Sequence, residues 1–506
     1  MRWNFGSVYR RIFCLAFLAN AAVLCYLVAR WLAKGDVLTA KQASLAVTAN
    51  ILAAIVVRNE HIVNALFWTF SGAWVAEKLP LWARRLLAKV YSYGGIHSSG
   101  AVCGTLWYIV FLVLLTRELV GKSSTILRSY IFFVSYFIIL LLCTMLATAH
   151  PHLRRVMHNW FEGIHRWMGW LAVVLFWVQA VLVAADDDSK TTIGGALLVS
   201  PGFWMLVVIT LLVVYPWTRL RAREVTAEVL SEHCVKLNFS YRDVHYGQAV
   251  RLTDAPLRET HAFGVIPHPP APLPIKKKQW HCVGCNCRGS SVAMSERAPS
   301  SASLSSSSSI TMSDDILKKE PACLSHAGER GFSVIVSNAG DWTRKIIQNP
   351  PKKIYTRGTP QFGVMRVAGL FKPCIIVATG SGIAPCLSLF VQRPEHPVRI
   401  VWSAKAPLAT YGQAVVDLLY RTDPRAVIID TDKVGRRPDL VKIVYRVWEQ
   451  SQGQTTENRN GGDAAEREGK EKCEAVVVIS NQKLTKKVVY GLETRGVPAY
   501  GAIFDS

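Results

Sequence analysis

Long apolar segments dominate the first 217 positions of this 506-residue chain. Most are close to the length of about 20 residues that a helix needs to cross a bilayer. They predict membrane-spanning helices at 12–32, 40–57, 97–116, 128–149, 164–184 and 201–217. The second segment is short, and the apolar patch from Ile62 to Val75 either extends that span or lies along the membrane interface. Six crossings are expected, with five or seven as alternatives.

The pattern changes after Arg223 to short alternating runs, which predict strands. These runs are Val225 to Leu230, Cys234 to Phe239, Ala249 to Leu252 and His261 to Ile266. From Pro373 onward, strands and helices alternate, which is typical of an α/β domain with a mainly parallel sheet. The predicted strands are 374–379, 398–403, 426–430 and 474–480, with helices from 384, over 411–420 and over 438–449.

Two polar segments interrupt the patterned regions. Residues 269–330 are rich in proline, lysine and serine, and residues 451–472 are also polar, so both are interpreted as inserts without a core of their own. The predicted architecture is therefore a multi-domain membrane protein. It has an all-α transmembrane domain (1–217), an antiparallel β-barrel domain (218–372) and an α/β nucleotide-binding domain (373–506).

The net charge of +23 indicates anionic partners. On a chain with this many apolar segments, the expected partners are anionic lipid headgroups and anionic cofactors. No basic–aromatic RNA motif or zinc-finger spacing favours nucleic acid. The first apolar run lacks a small-residue cleavage site, so it is interpreted as an anchor.

Basic residues also predict the orientation in the membrane. With the N-terminus inside, the inner segments hold most of them: Arg10, Arg11, Arg58, Lys78, Arg84, Arg85, Lys89, Arg154, Arg155, Arg219, Arg221 and Arg223. One outer loop carries the acidic residues 186–188. The 12 cysteines are scattered and form no secreted disulfide framework. Both observations predict that the C-terminal domains lie in the reducing cytosol.

A glycine turn follows the apolar strand Cys374 to Ala378. Glycines allow close backbone approach to a ligand, and a helix N-terminus offers free N–H groups to phosphate. The turn resembles the Gly-Thr-Gly-Ile-Ala-Pro nucleotide motif of ferredoxin-reductase-type flavoproteins, and the matching residues are Thr379, Gly380, Ser381, Gly382, Ile383, Ala384 and Pro385. An ordinary strand–turn–helix corner is the alternative.

Four further pieces resemble the flavin domain of membrane ferric reductases and NADPH oxidases, in the same order. The segment His261, Ala262, Phe263 and Gly264 resembles their His-Pro-Phe-Thr strand, with alanine and glycine replacing proline and threonine. Phe263 would form an apolar wall for the isoalloxazine ring. The resemblance implies FAD, contacted also by Gly331, Phe332 and Ser333, by the helix start at Asp341 to Thr343, and by the turn around Gly358. The alternative is turns and caps without a ligand.

The superfamily often has a Cys-Gly pair beside the nicotinamide, where this chain has Ser480. Ser480 is the candidate substitute, and Phe504 is the candidate aromatic cover of the flavin, or else a packing residue of a terminal strand. Lys405 either contacts a 2′-phosphate and favours NADPH or is an ordinary surface lysine. The choice between NADH and NADPH stays open.

The helical half resembles a ferric-reductase six-helix domain, in which two helices each carry two haem-ligating histidines about 13 or 14 residues apart. Here His97 and His165 occupy the first positions, but the second positions hold Val110 or Phe111 and Val178 or Gln179. The resemblance therefore implies at most one haem b, held by His97 and His165. Polar residues near span ends are the alternative.

The segment from His281 to Cys287 contains one histidine and three cysteines, which could bind zinc or copper or belong to an unstructured loop. The runs from Val334 to Thr343 and from Ala378 to Ile383, and the tail through Asp505, resemble the fungal TmpA-type transmembrane flavoproteins, and this resemblance spans nearly the whole chain. That resemblance implies a plasma-membrane enzyme that passes electrons from NAD(P)H through FAD to a small acceptor or metabolite at the cytosolic face. A non-catalytic signalling module and a transmembrane ferric reductase are the alternatives.

Overall fold

The computed structural model describes residues 6–156, 158–186, 192–269, 330–453 and 472–502. The two predicted inserts fall mainly outside these ranges. The His281–Cys287 segment and Phe504 fall outside them entirely.

The first half of the chain is helical, as its apolar segments predict. Side-chain caps start several helices: Ser7 caps the first, and Thr39 with Gln42 forms a capping box at the second. The helices are α1 (Val8–Lys34), α2 (Ala40–Val56), α3 (Glu60–Ser71), α4 (Ala73–Lys78), α5 (Leu81–Leu87), α6 (Gly94–Val120), α7 (Ile126–Ala149), α8 (Pro151–Val156), α9 (His158–Ala185), α10 (Ile193–Leu198) and α11 (Pro201–Thr218).

Five helical segments are long and apolar enough to cross a membrane, by length and composition. They are Val8–Lys34, Leu81–Val120, Ile126–Ala149, Trp160–Ala185 and Pro201–Thr218. A sixth is obtained if α2 is joined with Glu60–Lys78, but this pair is bent by 65°. The predicted second span therefore ends at the bend.

The apolar patch from Ile62 to Val75 does not extend that span in a straight line. Instead α3 packs on the strand that contains Pro360 and Phe362. The Asn64 side chain donates to the Pro360 carbonyl at 2.9 Å and accepts from the Phe362 N–H at 2.9 Å. Val63 and Phe67 on the same helix are fully buried in the core that the two sheets share.

The middle of the chain forms a seven-stranded antiparallel sheet in the order β1-β7-β4-β5-β6-β3-β2. Its edge strands, β1 and β2, are separated in the chain by Val225 alone, so the sheet curls until its two edges meet. The strands are β1 (Arg221–Glu224), β2 (Thr226–Ser231), β3 (Cys234–Phe239), β4 (Gln248–Thr253), β5 (His261–Pro267), β6 (Phe332–Ser337) and β7 (Lys353–Phe362). Helix α12 (Asp341–Gln348) joins β6 to β7 and packs Trp342 and Ile346 into the core of this curled sheet.

The last part of the described chain is a five-stranded parallel sheet in the order β10-β9-β8-β11-β12. Its inner strands β9, β8 and β11 are mainly apolar, as expected when helices cover both faces. The strands are β8 (Cys374–Thr379), β9 (Val398–Ala404), β10 (Val427–Asp430), β11 (Ala475–Ile479) and β12 (Ala499–Gly501). The helices are α13 (Ile383–Gln392), α14 (Pro407–Tyr411), α15 (Gln413–Thr422), α16 (Thr431–Val434), α17 (Leu440–Ser451) and α18 (Gln482–Glu493). The predicted strands and helices of this domain are confirmed.

Charged side chains fasten the helical half to both sheets. Arg84 makes two hydrogen bonds to Glu474, at 2.6 and 2.7 Å, and a third to the Leu370 carbonyl. Arg166 on α9 donates to the carbonyl oxygens of Leu257 and Arg258. The start of α9 and the segment Leu81–Tyr93 thus face the sheets.

Candidate functional site

The predicted nucleotide turn lies at the point where the order of the parallel strands reverses. Strands β9 and β10 lie on one side of β8, and β11 and β12 on the other. Ligands of such sheets bind outside the carboxyl ends of the strands at this point. A short 3₁₀ turn (Gly380–Gly382) follows β8 here, and α13 starts immediately after it.

Glycine is required at two positions of this turn. Gly380 has a φ of 49°, which disfavours other residues. A Cβ on Gly382 would lie 2.3 Å from the Ile479 carbonyl oxygen, so only glycine lets the turn lie against the end of β11. The Trp402 indole donates to the Gly380 carbonyl at 3.0 Å and fixes the turn from the side of β9.

The predicted residue Ser480 lies beside this turn. Its hydroxyl makes a short hydrogen bond with that of Thr379, so two hydroxyl groups meet at the ends of β8 and β11. Cys386 lies in the first turn of α13, but burial raises the pKa of its thiol, which therefore stays protonated. The hydroxyl groups of Thr379 and Ser480, and not the Cys386 thiol, are therefore the polar side-chain groups next to the turn.

Strand β5 approaches the same turn from the curled sheet. A Cβ on Gly264 would lie 2.6 Å from the Pro385 Cγ. The glycine at this position, where the resembling motif has threonine, therefore lets β5 contact the start of α13 directly. The structure thus brings Gly264 together with the start of α13. Ala262, on the same face of β5, is exposed.

Phe263 and His261 lie on the other face of β5, against α12. The Trp342 ring lies 4.4 Å from the His261 ring and 5.8 Å from the Phe263 ring, with interplanar angles of 30° and 28°. Trp342 is buried, whereas the other two rings are half-buried. The exposed parts of the His261 and Phe263 rings, which pack against the buried Trp342 ring, are suited to stacking on a planar flavin or adenine. These residues would hold FAD.

Other predicted flavin contacts are used within the protein. Phe332 is fully buried and stacks on Phe239, and the Ser333 hydroxyl donates to Asn238 at 2.6 Å. Gly331, with a φ of 146°, accommodates the Phe239 carbonyl. The Thr343 hydroxyl accepts from the N–H groups of two residues before α12. These four residues have clear structural roles where they lie.

Gly358 lies inside β7 and not in a turn before the parallel sheet. Its φ is 71°, and a Cβ there would lie 2.1 Å from a carboxylate oxygen of Glu60. The glycine therefore makes room for α3. Lys405 is 73% exposed and directly follows the carboxyl end of β9, at the same edge of the sheet as the glycine turn, and its ammonium lies 4.0 Å from Asp432.

The two predicted haem ligands line one cavity of about 1440 Å³ inside the helix bundle. The His97 Nδ1 donates to the Ala54 carbonyl at 2.8 Å, which leaves the Nε2 lone pair available to a metal. The His165 Nδ1 is buried and has no hydrogen-bond partner among the described residues. The chemistry of this pair fits a single haem.

The positions that would carry the second pair of haem-ligating histidines hold other side chains. The Gln179 amide donates to the Tyr108 hydroxyl at 2.7 Å and to the Ser135 hydroxyl at 2.6 Å. Phe111 packs on the Tyr108 ring. This buried polar network stands where the resemblance would require outer haem ligands.

The described chain therefore combines three parts: a helical region, a curled antiparallel sheet and a parallel sheet of the type that binds nucleotides. Residues 364–456 and 464–506 match the family model "Adenylate-forming reductase 03009, C-terminal domain". The chain is 34% identical over 507 residues to adenylate-forming reductase 03009 of Coprinopsis cinerea, and 33% identical over 508 residues to adenylate-forming reductase 06235 of the same fungus. Both matches cover 100% of this chain and 41% of the relative, so the chain spans about two fifths of their length.

Solved structures also align with the chain. Ferredoxin-NADP+ reductase from Plasmodium falciparum matches with a TM-score of 0.32 and 10% identity, covering 56% of this chain and 96% of that chain. The ferredoxin reductase of carbazole 1,9a-dioxygenase matches with a TM-score of 0.33 and 9% identity, covering 56% and 70%. Scores this low carry no weight for function. The resemblance to TmpA-type flavoproteins stays a prediction.

Proposed function

We propose that this chain is a membrane-anchored oxidoreductase that passes electrons from NADH or NADPH through FAD to a small acceptor or metabolite at the cytosolic face. The observation that carries the proposal is the direct contact between Gly264 on β5 and Pro385 at the start of α13. It places the predicted flavin strand beside the nucleotide turn. The reductase names of the two fungal relatives support the same class.

The residues of the turn would bind and orient the coenzyme. Gly380 and Gly382 keep the backbone flat against β11, so the free N–H groups at the start of α13 can receive phosphate. The hydroxyl pair of Thr379 and Ser480 would hold the nicotinamide end by hydrogen bonds. A 2′-phosphate at Lys405 would have to compete with Asp432, which leaves both coenzymes as candidates.

The aromatic rings of His261, Phe263 and Trp342 would hold the flavin by stacking and exclude water from its face. FAD, when bound, supplies the capacity to accept a hydride and release single electrons. The protein's task is then positioning, because hydride transfer needs little acid–base chemistry from side chains.

The filled outer level of the helix bundle supports an acceptor on the cytosolic side. A hydrocarbon core about 30 Å thick separates the two membrane faces. Gln179 and its hydrogen-bond partners stand at the outer level, where the resemblance would require histidines, so a second haem lacks its ligands there. This is why a transmembrane ferric reductase is the weaker candidate, and why at most one haem, at His97 and His165, is proposed.

Coenzyme oxidation tests the proposal. The purified protein, supplied with FAD, should consume NADH or NADPH when offered quinones, ferric chelates or metabolite extracts, and the Gly382→Ala variant should not. Coenzyme binding without oxidation of either coenzyme by any acceptor would favour the non-catalytic signalling module. Failure to bind either coenzyme would overturn both.

A further inference from the structure

The inner end of the helix-bundle cavity, where α6 and α9 begin next to the curled sheet, is strongly basic. Among the described residues at this end, Glu162 is the one acidic residue of the lining. The basic residues of the lining there are Arg10, Arg58, Arg154, Arg166, Arg357 and Lys486. The opposite end, at the C-terminal ends of α6 and α9, is balanced, with Lys41, Glu118, Lys122 and Asp186. The cavity lining is therefore positively charged at its inner end, whereas basic and acidic residues balance at the opposite end.

Arg357 reaches this end of the cavity from strand β7. Its guanidinium lies 4.7 Å from the centre of the Trp217 ring and has no hydrogen bond or ion pair within the described part of the chain. The neighbouring charges are Arg251 and Arg166, opposed by Glu162 and Glu60. Burial, and then the positive charge of Arg251, lower the pKa of Arg357 to about 10.

Two more polar groups on the lining lack partners. The Arg154 guanidinium lies over the Phe161 ring at 5.5 Å, and no described residue forms an ion pair with it. The ring of His165 packs on Phe161 at 4.4 Å, and its buried Nδ1 has no hydrogen bond in the described ranges. Buried polar groups without partners carry a free-energy cost, which a bound anion would remove.

Between the two ends, most of the lining is apolar. It includes Val102, Phe111, Leu115, Leu142, Val173 and Phe176. Pockets for small molecules usually measure about 300 to 1,000 Å³. A cavity of about 1440 Å³ can therefore hold a large apolar molecule below the basic end.

We infer that this cavity binds an amphipathic carboxylate, with its acidic head at Arg357 and Arg154 and its apolar body inside the helix bundle. A guanidinium can hold a carboxylate by two parallel hydrogen bonds, which suits both arginines. Two ligands share this chemistry: a long-chain fatty acid, and haem b, whose apolar macrocycle carries two carboxylates. This inference stands apart from the proposed electron transfer, since binding needs no coenzyme.

The chain offers a matched control for Arg357. Arg223 is also a half-buried arginine of the curled sheet, lies 4.1 Å above the Tyr241 ring, and has a buried Nε without a hydrogen-bond partner among the described residues. It does not line the cavity. Comparing Arg357→Gln with Arg223→Gln therefore separates the cavity site from a general effect of removing a stacked arginine.

The full chain in phosphatidylcholine nanodiscs is the material for the test, with empty nanodiscs as the blank. A violet haem absorbance band in the purified protein identifies haem as the occupant. Haem content per chain is then compared between the two variants. Without that band, the fluorescent fatty acid dansyl-undecanoate is titrated, and oleate and oleyl alcohol are used as competitors.

We expect Arg357→Gln to weaken the binding of the acid by at least about tenfold relative to Arg223→Gln. Arg357→Lys, which keeps the charge, should fall between Arg357→Gln and the unchanged chain. Oleyl alcohol should compete equally in both glutamine variants, because it lacks the charge. Equal affinities for the acid in both variants, equal haem contents in both, or no binding of either ligand overturns the inference.

Discussion

Single residues at the nucleotide turn have the sharpest consequences. Gly382 has no room for a Cβ, because the Ile479 carbonyl oxygen lies 2.3 Å from that position. Gly382→Ala should push the turn away from β11 and lower NAD(P)H affinity by more than about tenfold, with an overpacking cost of about 1–3 kcal/mol. Coenzyme titration by fluorescence and thermal unfolding measure the two effects.

Gly121→Ala is the control for this change. Gly121 has a φ of −78° and nothing within 4 Å of its Cβ position. That variant should bind coenzyme normally. Unchanged coenzyme affinity in Gly382→Ala would show that the turn does not hold the nucleotide.

His396 makes stability depend on pH. It is buried and donates from Nε2 to the Ala368 carbonyl at 3.3 Å, and burial lowers its pKa below the usual 6.5. The unfolded chain therefore binds more protons below pH 6.5, and the contribution of His396 to stability is lost as pH falls from 6.5 through the folded-state pKa.

The unfolding temperature should drop between pH 7 and pH 5 for this reason. His396→Gln should flatten the dependence while lowering the value at pH 7. Tryptophan fluorescence during heating follows both variants. An equally steep pH dependence in His396→Gln would assign the effect to other groups.

Among the helices and strands, one side-chain amide forms the hydrogen bonds between α3 and the backbone of β7. Asn64 satisfies both the Pro360 carbonyl and the Phe362 N–H. Asn64→Ala should leave the Phe362 N–H without a partner and remove one of the two hydrogen bonds to the Pro360 carbonyl, which also accepts from Gln248 at 3.3 Å. We expect this to cost about 1–3 kcal/mol in the free energy of unfolding. Thr69→Ala, at an exposed position of the same helix, should cost little. Similar losses in both variants, measured by denaturant unfolding, would contradict this role.

The strands and the glycine turn could be predicted from the sequence because their signals are local. Alternating or continuous apolar runs marked β3, β8 and β11, and Gly380 and Gly382 marked the turn. Local patterns do not reveal long-range partners. The apolar patch from Ile62 to Val75 looks like part of a span, yet its partner β7 is almost 300 residues away.

The predicted site was only partly recognisable for the same reason. Gly264 and Ser480 do lie next to the turn, as family order predicts. Phe332 and Ser333 carry the motif but are buried in the curled sheet, because alternation along a strand does not tell which face meets a ligand. Arg357 belonged to a predicted turn, and only the tertiary structure turns it towards the helix bundle.

For the whole molecule, the attachments between helices and sheets bear on the predicted orientation in the membrane. Arg84 and Arg166 join the inner ends of the helices to both sheets, so these ends and the sheets share one side. Because the basic residues concentrate on that side, we predict that it faces the cytosol. A membrane-impermeant thiol reagent on intact cells should label Thr192→Cys, in the predicted outer loop, and not Lys405→Cys. The eight described cysteines, of which Cys14, Cys25 and Cys143 are exposed, require the unchanged chain as the blank. Labelling of Lys405→Cys alone would reverse the orientation.

The absorbance spectrum of the protein purified in mild detergent shows whether the chain binds a flavin that NAD(P)H can reduce. We predict a yellow protein with isoalloxazine bands that NADH or NADPH bleaches. A folded protein that is colourless, and that takes up no FAD when it is supplied, would contradict it.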